Sequence, residues 1–108
     1  MNEAIRTGEV FRLSDLAEYR DGQIVHVDVT QNDRMRMAIK AFDAGCELAS
    51  HTAPGNVIVF ALEGDAVIQC AGKEYPIEAG ENFFFAKGEE HGVKAVSRFK
   101  MAVVVDFS

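Results

Sequence analysis

From Gly22 onward the chain is a succession of short apolar or alternating runs cut by glycine turns. A helix of a globular protein needs roughly ten or more residues of 3.6-residue periodicity, whereas runs of about four to eight with period two build strands. Gln23–Thr30 alternates Val25, Val27 and Val29 with Ile24, His26 and Asp28. Arg34–Phe42 sets Met35, Met37 and Ile39 on one face and Arg36 and Lys40 on the other. Val57–Leu62 is apolar throughout and stops at Glu63-Gly64; Asp65–Cys70 follows, then the Ala71-Gly72 turn and Lys73–Ile77. The Ala79-Gly80 turn leads to Phe83–Ala86, and His91–Val96 and Phe99–Phe107, joined at Ser97-Arg98, complete the set. Strands of this length and spacing make an all-β sandwich or barrel.

Ahead of the strands, Leu13–Tyr19 predicts a short helix capped by Ser14, with Asp15 in its first turn. A chain of 108 residues has room for one domain. Within it we distinguish an N-terminal segment over 1–22 from a barrel over 23–108. Three runs, VIVFAL, FFFA and MAVVV, are apolar on both faces. A strand with one wet face alternates, so the outside of this barrel is covered by the N-terminal segment, by a second copy of the chain, or by both. A homodimer is the expectation.

Charge narrows the function. Lys and Arg number 11 against 17 Asp and Glu, a net −6, which is the wrong sign for neutralising phosphates and excludes a nucleic-acid footprint. Cys46 and Cys70 lack the spacing of a disulfide scaffold or a zinc knuckle and are expected to be reduced thiols. The polar N-terminus and the absence of any long apolar run predict no membrane association and a cytoplasmic location.

Two segments resemble the paired motifs of the cupins. In the first, Gly45 is followed by CELAS, His51, Thr52, Ala53, PGN, Val57, IVFALE and Gly64. In the second, Gly80 is followed by ENFFF, Ala86, Lys87, Gly88, EE, His91, GVK and Ala95. The spacing of both matches the cupin pattern, and the whole is similar to small single-domain cupins of the type-2 conserved-barrel group. The resemblance implies a double-stranded β-helix, or jelly roll, preceded by the short helix.

It also implies a site. In the family, a His-x-His pair, a Glu and a second-motif His converge inside the barrel, a donor set suited to divalent transition metals. Here His51 and His91 keep two of those four positions, while Ala53 and Val57 occupy the others. No cofactor is therefore assigned beyond a weakly held divalent transition metal at His51 and His91. The same two histidines are the candidate catalytic groups; the alternative is a pair of buried imidazoles bonded to backbone or water. Glu47, four residues before His51, is either a substitute carboxylate or a solvated loop residue, and His26 is structural or exposed. Val57, Val59, Ala61, Phe83, Phe85, Met35 and Met37 are expected to wall a pocket beside the histidines. The histidines would hydrogen-bond an anionic or carbonyl group of the occupant. The implied function is binding of a small molecule. The alternative is an oxygenase-like or isomerase-like enzyme, metal-dependent or working through a histidine.

Overall fold

The computed structural model describes all residues, Met1–Ser108, and its regular structure is almost entirely strand. Nine strands follow a single 3-10 turn, η1 (Leu13–Leu16): β1 Ile24–Gln31, β2 Met35–Phe42, β3 Glu47–Thr52, β4 Asn56–Glu63, β5 Asp65–Cys70, β6 Lys73–Glu78, β7 Asn82–Phe85, β8 Glu90–Ala95 and β9 Phe99–Asp106. They form two antiparallel sheets, β1-β2-β9-β4-β7 and β3-β8-β5-β6, laid face to face as a jelly roll. Eight of the strands lie where the alternation puts them. The predicted helix shrinks to one turn that begins after Arg12, and no side chain, that of Ser14 included, caps it.

The strand missing from the sequence reading is β3. Its residues, ELASHT, are mostly exposed and do not alternate. The register explains the lapse: Leu48 lies opposite Val93 and His51 opposite His91, so Ala49 and Ser50 together face Gly92. This β-bulge puts both Leu48 and His51 on the inner face although they are three apart in sequence. A side chain at Gly92 would press on it, because an added Cβ would stand 3.0 Å from Leu48 O and 3.3 Å from Ser50 N.

The inner faces meet in a core of Phe42, Val57, Val59, Ala61, Ile68, Phe85, Val93, Phe99 and Met101, among others, all nearly inaccessible. A second cluster lies outside the first sheet, where Ile5, Leu13, Leu16 and Ala17 of the N-terminal segment pack on Val29, Met37, Ile39, Ala41 and Ala102. Polar ties hold the segment down. Lys100 Nζ donates to Ser14 O at 2.7 Å and lies 4.7 Å from the centre of the Tyr19 ring. Tyr19 donates to Glu63 Oε1 at 2.8 Å, and its hydroxyl pKa is pushed up, first by burial and then by that carboxylate.

The covering is incomplete. One row of the outer face runs through Met37, Val104, Ile58 and Phe84 on four neighbouring strands. Its far end, with Phe60 beside it, is exposed: Ile58 42%, Phe60 38% and Phe84 55%.

Candidate functional site

A cavity of about 130 Å³ lies between the sheets, walled by Leu48, His51, Ala53, Pro54, Val57, Val59, Phe85, His91, Val93, Met101, Val103 and Val105, and on the β1–β2 side by His26, Arg36, Ala38 and Lys40. Because His51 and Pro54 are exposed while Val57, Phe85 and His91 are buried, the cavity has an open mouth and a closed floor.

The histidine pair is built by register. His51 and His91 are directly opposed on β3 and β8, with ring centres 4.4 Å apart. His91 is 6% exposed and stacks on Phe85, 4.0 Å between centres at 23°. Each ring is held by a backbone carbonyl two residues earlier: His51 Nδ1 donates to Ala49 O at 3.0 Å and His91 Nδ1 to Glu89 O at 3.2 Å. A carbonyl only accepts, so Nδ1 carries the proton in the neutral ring, and Nε2 of each histidine is left as a free acceptor. Burial holds the His91 pKa below its usual value of 6.5, against the opposing pull of the Glu89 carbonyl; the nearby His51 lowers it further.

Ala53 and Val57, 7% and 3% exposed, line the cavity beside these histidines. Nowhere do three His, Cys, Asp or Glu side chains come together as a metal-binding group. The donor set does not fit a resident catalytic metal, which takes at least three protein ligands in zinc enzymes.

Of the expected wall residues, Val57, Val59 and Phe85 line the cavity. Ala61 and Phe83 face the same interior but lie beyond it: Ala61 is core opposite Met101, and Phe83 packs between Tyr75 and Phe85. Met35 and Met37 are corrections. On β2 it is Arg36, Ala38 and Lys40 that face the cavity, and Met37 packs outward in the cluster that the N-terminal segment joins. The same alternation turns Met35 outward.

Glu47 is placed by the bulge. It pairs with Lys94 on the outer face and is exposed, so of its two readings the solvated residue is the one found. Glu89 caps the turn, accepting from Ala86 N at 2.8 Å. Cys70 is buried, with its thiol pKa raised by desolvation, and Cys46 is half-buried; neither is disulfide-bonded. The sequence reading missed Arg36, Lys40 and His26. His26 stands at the cavity edge opposite Lys40, its Nε2 2.8 Å from Asp28 Oδ1. The available signal for His26 was its period-two spacing with Asp28; for Arg36 and Lys40 the alternation groups them on one face without saying which side of the sheet it is.

A family model described as "Cupin domain" matches residues 38–106. Among solved structures, a cupin superfamily protein from Desulfitobacterium hafniense DCB-2 is similar at 20% identity and TM-score 0.91, over 96% of this chain and 95% of that one. A conserved protein of unknown function from Streptococcus pyogenes is 25% identical with TM-score 0.90, over 96% and 91%. A cupin 2 conserved barrel domain protein from Leptotrichia buccalis is 29% identical with TM-score 0.86, over 89% of this chain and 47% of that one. Among curated proteins none matches. No helix is long and apolar enough to cross a membrane.

Proposed function

The chain belongs to the cupin family, and from that premise we propose that it is a barrel that binds a compact small molecule and works without a resident metal. The cavity carries this reading. Ten of its sixteen wall residues are hydrophobic, with a few polar groups at the edges, the make-up of a small-molecule site. Its volume of about 130 Å³ is near that of an apolar cavity of about 150 Å³ that takes benzene, so the occupant is the size of one ring or a short branched chain. The wider fold analogy adds nothing about the ligand, since one barrel hosts many functions.

A fragment screen by thermal shift and ligand-observed NMR tests it. Val59→Phe, 1% exposed in the cavity wall, fills the space without adding a polar atom. Fragments that raise the melting temperature of the unaltered protein are expected to lose that effect in the variant. If no fragment responds to the substitution, the binding reading fails.

One observation favours a second reading, a histidine-based enzyme. His91 is kept neutral by burial and offers Nε2 as a base. Turnover of a bound fragment that disappears in His91→Gln, with binding retained, would move the assignment to that class.

The exposed Ile58, Phe60 and Phe84 support a two-fold dimer through this face, since such contiguous apolar surface is uncommon on a soluble monomer. Light scattering after size exclusion is expected to give twice the mass of one chain, and Phe84→Lys with Ile58→Lys to give single chains. A monomer in the unaltered protein would remove the dimer from the proposal.

A further inference from the structure

The inner face of β2 presents two cations to the cavity, and neither is held in an ion pair. Arg36 and Lys40 are half-buried, and Ala38 between them leaves room for a ligand group. No Asp or Glu lines the cavity. The ion pairs of the protein involve His26, Arg98 and Lys100, never Arg36 or Lys40. The Arg36 guanidinium lies over the Phe107 ring, 5.8 Å from its centre, a contact that does not cancel its charge. Asp28, the acid nearest Lys40, is engaged by His26. In a chain of net −6, the cavity wall is thus cationic, with Asp28 as the acid that acts on Lys40 from the neighbouring strand.

We infer that the ligand is a small organic carboxylate, whose carboxylate is held by Arg36 and Lys40 while its apolar body lies against Val57, Val59 and Phe85. This deepens the binding-barrel reading and rests on it. Arginine suits a carboxylate through its paired N–H donors, and both bonds gain from being charge-assisted. The histidine end is the wrong one for an anion. In the neutral rings, with Nδ1 committed to a backbone carbonyl, the free Nε2 atoms are acceptors and repel a carboxylate oxygen. In this arrangement the histidines receive a donor such as a hydroxyl, in place of the anionic or carbonyl group expected from the sequence. The Lys40 pKa agrees with two cations crowded on one space: burial lowers it first and Arg36 second, against a smaller opposing effect of Asp28. Screening at physiological salt confines the remote acidic surface to within about 8 Å, so the local cations decide what enters.

The competing arrangement is that both stems only cover apolar wall and hold their charges out in water. Matched probes separate the two: benzoate against benzamide, isovalerate against isovaleramide, and inorganic phosphate alone, titrated by NMR on the Val57, Val59 and Met101 methyl groups. We expect at least one carboxylate to bind about tenfold or more tightly than its amide, as charge-assisted bonds warrant. Lys40→Met and Arg36→Met, each checked for an unchanged fold, are expected to bring the carboxylate down to its amide and leave the amide untouched. Equal binding of acid and amide overturns the inference while leaving the barrel a binding protein. Phosphate matching the carboxylates shows that the apolar body is not recognised, and also overturns it. No binding by any probe in the unaltered protein ends the binding-barrel reading and the inference with it.

Discussion

Carrying Ala53→His and Val57→Glu together, the barrel is expected to retain one divalent transition-metal ion per chain through gel filtration, where the unaltered protein retains far less. Both positions line the cavity beside His51 and His91, and both are almost inaccessible, so the new groups join the two imidazoles as a four-donor set. Without metal the double variant is expected to be the less stable protein, because a buried carboxylate with no partner is costly. Metal reverses the sign. An ion at a hundredfold excess over its dissociation constant contributes about 2.7 kcal/mol, which at about 4–8 °C per kcal/mol raises the melting temperature by roughly 10–20 °C. Elemental analysis and melting curves with nickel, zinc and manganese, with and without chelator, read both effects. A folded double variant that stays metal-free would mean that residues 51, 53, 57 and 91 do not converge, and would sink the site geometry.

The second large effect is expected from Phe85→Ala. This ring is 1% exposed, stacks on His91 and touches Phe83 at 5.0 Å between centres, so its loss leaves a hole in the core at the cavity wall. Removing a buried phenyl ring costs about 3–5 kcal/mol, out of a stability of about 5–15 kcal/mol for an ordinary domain. The urea midpoint should fall accordingly. A second readout is specific to the site. His91 loses the ring that shields it, and its pKa climbs back toward 6.5, which proton NMR of the imidazole follows directly. A loss of less than about 1 kcal/mol would show that this ring is not the core member it resembles, since so small a cost fits a surface position.

The architecture was legible because strand period and glycine turns both report on backbone geometry. Gly64 is an example: at φ +73° and with Arg98 O directly where a Cβ would stand, no other residue fits the turn between β4 and β5. The two faces of β2 were not legible. Met35, Met37 and Ile39 carry the apolar pattern and Arg36 and Lys40 the polar one, so alternation alone turns the strand inside out. What reverses it is the N-terminal segment, which covers the outer face of that strand, while the inner face borders a cavity open to water. A pattern records how wet each face is and not which side of the sheet it lies on. The histidines were found by motif spacing, whereas the four-residue spacing of Glu47 from His51 does not put both on one face, because one extra residue in β3 inverts the alternation across it.

That extra residue frees the length of the chain from the geometry of the site. Ala49 and Ser50 share one rung of the ladder, so removing either would leave Leu48 and His51 on the rungs they already occupy. β3 therefore has slack at its bulge, where one residue fewer would not re-aim a side chain. Gly92 is the counterpart of that slack. As the rung that two residues share, it leaves the bulge room to form, and the spacing of the two imidazoles is set by a side chain that is not there.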